Sequence, residues 1–465
     1  MNMINVRRLT VMTFLGAGML PGISAQGSLL QADTLQEMRI PTQWDLQSCI
    51  DYAKEQNITI RKNRITAAGT QIDVKTAKAA LFPSLSFSTG HQVVNRPYQE
   101  TSSRVSGSEI ISSNSKTSYN GNYGLNASWT LYNGNKRLKT IQQEKLNNQI
   151  AELDVSTSEN NIQESIAQVY IQILYAAESV RVNENTLQVS IAQRDRGQEL
   201  LNAGSIAKSD LAQLEAQVST DRYQLVTAQA TLEDYKLQLK QLLELDGENE
   251  MNIFLPALSD ENVLAPLPAK RDVYISALGL RPEIEASKLN VEASELGINI
   301  AKSSYFPTIS LSAGIGTNHT SGSDFTFGEQ VKNGWNNSIG LSVSVPIFNN
   351  RQTKSAVQKA KLQYETSMLS LLDEQKALYK TIETLWLDAN SAQQRYAAAN
   401  EKLKSTKISY ELTSEQFNLG MKNTVELLTE KNNLLQAQQE QLQAKYMAIL
   451  NTQLLKFYQG DQLAL

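Results

Sequence analysis

Polar and apolar residues alternate one by one along two stretches of this chain, and both read as β-strands with one greasy and one wet face. In the first, Tyr123, Leu125, Ala127, Trp129 and Leu131 interleave with Asn122, Gly124, Asn126, Ser128 and Thr130. In the second, Ile339, Leu341, Val343, Val345 and Ile347 interleave with Ser338, Gly340, Ser342, Ser344 and Pro346. The segments after Pro83 and Pro307 alternate too, through Leu85 and Phe87 in one and Ile309, Leu311, Ala313 and Ile315 in the other. Alternation alone also fits a soluble sandwich. The small polar second face, with Phe82, Trp129, Tyr132, Phe306, Trp335 and Phe348 near strand ends, fits a membrane barrel with its aromatic girdle.

A different period governs the rest. No proline occurs from Lys136 to Asn202 or from Arg351 to Asn418, so each stretch predicts one helix of roughly 100 Å at about 1.5 Å per residue. Between Ser205 and Leu245, Leu211, Leu214, Val218, Leu225, Ala228, Leu232, Tyr235, Leu239 and Leu242 recur at alternating three and four spacing, a coiled-coil seam in which Asp221 is the one polar exception. Helices over Asp45–Ala80 and Ser205–Leu245, placed end to end, would span about 115 Å, close to the single long helix between them. Two short helices therefore run beside one long one.

The chain is also written twice. Phe82-Pro83-Ser84-Leu85-Ser86-Phe87-Ser88 recurs as Phe306-Pro307-Thr308-Ile309-Ser310-Leu311-Ser312, an offset of 224. Leu131-Tyr132-Asn133 recurs as Ile347-Phe348-Asn349, and Gly204 with Leu211 as Gly420 with Leu427, an offset of 216. The second copy is thus shorter in the loop joining its strand pair.

This gives a first repeat at 44–245, with a hairpin at about 84–132, a long helix at 136–202 and a helix at 205–245. A linker at 246–271, broken by Pro256, Pro266 and Pro268, lies around the helices. The second repeat, 272–460, holds a short helix at Pro282–Ser304, a hairpin at about 308–348, a long helix at 351–418 and a helix at 423–460. The strand-pair loops, from about Asn95 to Ser118 and from Asn318 to Asn333, are long and polar, as barrels have outside the cell. Four strands cannot close a barrel whose minimum is eight, and open edges are not viable in lipid, so the barrel must be shared between chains.

Composition adds limits. At 465 residues, 19% charged and a formal net charge of −4, the chain has neither a nucleic-acid footprint nor a disordered composition. Arg7 and Arg8 precede an apolar run from Leu9 to Leu20 and small residues up to Ala25, which reads as a secretory signal peptide over 1–25 followed by an extension over 26–43. After it no run of about 18 apolar residues occurs, so any membrane span is made of strands.

Trp44-Asp45-Leu46 with Ala53 and Asn57, the two Phe-Pro pairs, Arg281-Pro282-Glu283-Ile284-Glu285-Ala286, Val291-Glu292-Ala293, and Ala301-Lys302 leading to Tyr305-Phe306-Pro307 together resemble the TolC family of outer-membrane efflux proteins over nearly the whole mature chain. The resemblance implies an α+β membrane protein in which three duplicated protomers each contribute four strands to a 12-stranded outer-membrane barrel. It further implies that long coiled-coil helices form a periplasmic α-barrel, and that the partners are a periplasmic adaptor and an inner-membrane pump of resistance-nodulation-division type or an ABC transporter. No cofactor is implied. Drug efflux, metal efflux and protein secretion stay open.

The family closes its periplasmic end with an iris of helix pairs. By position, Glu426 matches an aperture carboxylate, while a second acidic position falls on Thr429. Asp210 and Lys422 match the closing network, with Ser209 or Asp210 within reach of Lys422. Phe417 stands where a tyrosine hydroxyl would bond the aspartate. The resemblance implies that the turns at Gly204 and Gly420 are the tips that meet the adaptor. Read from the residues alone, Glu426 is a solvated helix carboxylate.

Chemistry beyond conduction finds no support. The two histidines, His91 and His319, fall in or beside the strand-pair loops, Cys49 is alone, and no phosphate-binding glycine loop occurs, which argues against a triad, a zinc site or an intrinsic energy source. An adhesive or structural coiled coil of the envelope would explain the helices but would not need two amphipathic strand pairs.

Overall fold

The computed structural model describes residues 41–98, 102–106, 109–113, 116–246, 251–256, 263–321, 323 and 325–464. The expected signal peptide, most of the extension and parts of the loops and linker lie outside the described residues. All elements below belong to one compact unit, Gln43–Leu465.

The first repeat holds α1 (Leu46–Gln56), α2 (Ile58–Ala79), β1 (Ser84–Asn95), the small strands β2 (Ser102–Ser106) and β3 (Glu109–Ser113), β4 (Thr117–Asn133), α3 (Lys136–Asn202) and α4 (Lys208–Leu242). The second holds α5 (Lys270–Leu280), α6 (Pro282–Ser303), β5 (Thr308–Thr320), α7 (Phe327–Asn333), β6 (Asn336–Ser344), α8 (Gln352–Asn418) and α9 (Thr424–Gln459). Three features are finer than the sequence pattern. The first strand-pair loop carries the β2–β3 hairpin, and its counterpart carries α7. The helix expected over Asp45–Ala80 runs as two.

Asn57 makes that break. Its backbone is extended, its side-chain oxygen accepts from Thr59 N–H at 2.9 Å, and its amide donates to the Leu242 carbonyl at 3.0 Å. One asparagine thus starts α2 and ties it to the end of α4. The two short helices meet head to tail there, and both pack along α3. Arg281 has the equivalent place in the second repeat, between α5 and α6. Its guanidinium is held by Glu283 at 2.7 Å and Glu164 at 3.1 Å and lies over the Tyr458 ring near the end of α9.

The main core sits at this junction level, around Trp44, Tyr170, Ile166, Leu239 and Leu454, with a second cluster around Ile284, Ile382 and Leu455. Fully burying each such side chain stabilises by roughly 1.5–3 kcal/mol. The linker is pinned to it. Trp44 N–H donates to Asn252 at 2.8 Å, Phe254 N–H donates to Trp44 at 2.8 Å, and the Tyr170 hydroxyl donates to the Phe254 carbonyl at 2.6 Å.

The sheet runs β1-β4-β5-β6 and is antiparallel throughout, so the two repeats join through β4 and β5. Because successive side chains alternate faces, Leu85, Phe87, Leu125, Ile315, Leu341 and Ile339 share one side, and all six are exposed on the single chain. A bulge at Thr130/Tyr132 ends the regular ladder near the helices. At that end Trp129 donates from Nε1 to the Leu81 carbonyl at 2.7 Å, and Arg137 donates to the Ala80 carbonyl at 2.8 Å. His91 and His319 lie inside β1 and β5, not in loops. Among the described residues no helix is long and apolar enough to cross a membrane.

Candidate gate at the helix turns

The two helical hairpins end in matching turns. Gly204 and Gly420 stand at φ 75° and 76°, in the left-handed region that costs glycine nothing. In one turn Ser205 N–H reaches the Leu200 carbonyl at 2.8 Å, and in the other Met421 N–H reaches Gln416 at 2.8 Å, closing the carbonyls each long helix leaves open. Leu419, Met421 and Val425 are exposed at the second tip.

Just inside the turns the copies diverge. In the first, Asp210 accepts from the Ala207 N–H at 3.0 Å, capping its own helix, with Ser209 exposed beside it. In the second, Asn423 and Glu426 cap each other, with Glu426 N–H on the Asn423 side chain at 2.9 Å and Asn423 N–H on the Glu426 carboxylate at 3.2 Å. Lys422 donates to the other Glu426 oxygen at 2.6 Å. Within one protomer, then, Lys422 engages Glu426 and neither Ser209 nor Asp210. The Lys422 bond and the backbone bond hold the Glu426 carboxyl below its usual range. Thr429, in place of a second acid, donates to the Val425 carbonyl of its own helix at 2.8 Å.

The next layer is apolar. Phe417 is 2% exposed and packs with Leu214 and Leu427, flanked by Leu200, Tyr410 and Leu428. Phe417 is therefore a grease contact between α8, α4 and α9, with no hydroxyl to offer. Gly197 on α3 lets Leu214 come close, since a Cβ there would lie 2.4 Å from Leu214 Cδ1.

Above this layer lies an arrangement that position-by-position reading missed. Asp221 on α4, Lys431 on α9 and Ser190 on α3 are all buried and mutually hydrogen-bonded. Lys431 donates to the Asp221 carboxylate and to Ser190, Ser190 donates to Asp221, and Gln217 donates to the remaining Asp221 oxygen at 2.8 Å. Burial pushes the Lys431 ammonium below its ordinary range, and Asp221 pulls it partly back. Nearby, Gln193 on α3 donates to the Tyr410 hydroxyl on α8 at 2.8 Å. Both contacts join the first hairpin to the second. The polar exception at Asp221 in the coiled-coil seam was the signal for this layer. Its partners, far away in sequence, gave none.

Nothing here is arranged for bond chemistry, and among the described residues no group of three or more His, Cys, Asp or Glu could hold a metal. The geometry offers two hairpins locked together by a buried polar layer, with acids and bases at the tips.

A family model described as outer membrane efflux protein matches residues 49–244 and 273–460, one block per repeat. The chain is 24% identical over 294 residues to the outer membrane efflux protein BepC of Brucella suis biovar 1 (strain 1330), covering 63% of this chain and 61% of that protein. It is 22% identical over 444 residues to the outer membrane protein TolC of Escherichia coli (strain K12), covering 92% and 83%. Among solved structures the transmembrane channel CusC superposes with a TM-score of 0.76 at 19% identity, over 90% of this chain and 92% of that one.

Proposed function

The chain belongs to the outer membrane efflux protein family, and from that membership we propose that three copies build one passive exit duct. Its place is the outer membrane, with the helices extending into the periplasm, and it is no enzyme. The observation that carries the reading is the sheet. Its four antiparallel strands leave β1 and β6 as outer strands and expose apolar side chains on one face. Strand directions alternate from β1 to β6, so β6 of one copy meets β1 of the next antiparallel, and copies add without breaking the ladder. Three copies close a barrel of 12 strands, and the paired helices below continue it as a tube. The partners are a periplasmic adaptor meeting the Gly204 and Gly420 turns and an inner-membrane pump or ABC transporter supplying the energy.

The gate is the helix-turn end. Threefold symmetry turns Glu426 into a ring of carboxylates whose field favours cations, with Lys422 tempering each charge. Asp210 and Ser209 line the neighbouring turn, and Phe417 with the Asp221–Lys431–Ser190 layer keeps the hairpins together in the closed state. Crosslinking of the outer-membrane fraction tests the assembly: trimers are expected, and a stable soluble monomer overturns the reading.

A further inference from the structure

The only two histidines of the chain are 228 residues apart in number, and the sheet brings them into one row. His91 on β1 pairs with Gly121 on β4, and Gly121 pairs with His319 on β5. Both imidazoles therefore leave the same face, the apolar one, at the strand ends away from the helices. Two strands apart, they would normally be separated by roughly 9–10 Å and by an intervening side chain. Gly121 supplies none, and both rings lean into its place. A Cβ built there would lie 2.7 Å from His319 Nδ1 and 3.2 Å from His91 Nδ1. The two nitrogens face one point.

The surroundings prepare those nitrogens as ligands. Thr89 lies 3.1 Å from His91 Nε2 and the Tyr119 hydroxyl 2.7 Å from His91 Nδ1. With Nε2–H donating to Thr89, Nδ1 keeps its lone pair toward Tyr119, the kind of second bond that fixes the tautomer of a metal-binding histidine. The Tyr119 ring also stands edge-on to His319 at 5.2 Å, and Phe327 closes the other side of His319 at 5.1 Å. His319 Nδ1 is sealed from solvent with no hydrogen-bond partner, a cost for any buried polar atom.

We propose that His91 and His319, with Tyr119 beside them, form a divalent transition-metal site on the apolar face of the sheet. Imidazole nitrogens with a phenol oxygen suit Zn²⁺, Cu²⁺ or Ni²⁺, and the absence of a carboxylate disfavours Ca²⁺ and Mg²⁺. Bonds of about 2.0–2.1 Å to both nitrogens require a small rotation of the rings toward each other. Water completes the coordination, so the ion is exchangeable. Bound there, it staples β1 and β5 across β4, the seam between the two repeats. The expectation of no zinc site placed the histidines in or beside loops, whereas strand register sets them in one row. The site does not rest on the duct reading.

The test is a Cu²⁺ titration of the full-length mature protein, purified without a histidine tag, followed by electron paramagnetic resonance. One Cu²⁺ per chain with two imidazole nitrogens is expected, and no other histidine can supply them. His91→Ala and His319→Ala should each weaken binding at least tenfold and leave one nitrogen. Gly121→Val, which keeps both rings but fills the space, should do the same. A wild-type spectrum without two-imidazole coupling overturns the proposal whatever the variants do, as does unchanged binding in a His91→Ala/His319→Ala variant that still forms the native oligomer.

Discussion

Two lysines nine positions apart, Lys422 in the turn before α9 and Lys431 within it, each meet a carboxylate, in opposite surroundings. In the Lys431–Asp221 pair the side chains are 4% and 2% exposed, whereas in Lys422–Glu426 they are 38% and 42% exposed. The outer pair is local, four residues apart on one helical turn, and water screens it. The inner pair joins helices of different repeats, and each of its charges, once buried, depends on the other. The hairpins are thus held by the layer that water cannot reach, not by the charges that mark the tip.

The largest effect is expected at Asp221. Asp221→Ala leaves Lys431 buried without its counter-ion, which costs about 3–5 kcal/mol, and should lower the thermal midpoint of the purified protein more than any tip substitution. An Asp221→Leu/Lys431→Met variant removes both charges and should recover most of that loss. Next comes Phe417→Ala. It empties the small apolar contact with Leu214 and Leu427 and should cost about 3 kcal/mol, read in the same melt.

At the tip the expected effects are on conduction. Glu426→Gln should leave the melt unchanged and shift reversal potentials in planar bilayers away from cation preference. The wild-type preference has its own pH signature. Because Lys422 holds the Glu426 carboxyl below the ordinary value of 4.5, the charge is complete above that value and is lost only as pH falls through the lowered one. Cation preference should therefore persist at a pH where an ordinary glutamate is half protonated. Lys422→Ala should move that loss toward the ordinary value.

What the sequence could say of this follows the range of each signal. Period-two alternation and proline-free helical runs are local, so the strands, the long helices and the duplication were legible. Asp221 was legible as an exception in the seam at Leu211, Leu214 and Val218. That it is answered by Lys431 and Ser190 was not, because helix-to-helix register across two repeats leaves no local trace. His91 and His319 read as lying in or beside the strand-pair loops for the same reason, since only strand pairing sets them across Gly121. One helix was expected over Asp45–Ala80, and the break at Asn57 depends on its bond to Leu242, a partner far away in sequence. At the tip the residue types were readable at Glu426, Lys422 and Phe417, but their partners were not. Lys422 turns to its own helix, and Phe417 is buried against Leu214 and Leu427.

Whether the buried layer holds the duct closed is read from the single-channel conductance of wild type and Asp221→Ala in the same planar bilayer. A small, cation-preferring wild-type conductance that rises several-fold in the variant is the predicted result. A variant that melts earlier yet conducts as the wild type does would contradict it.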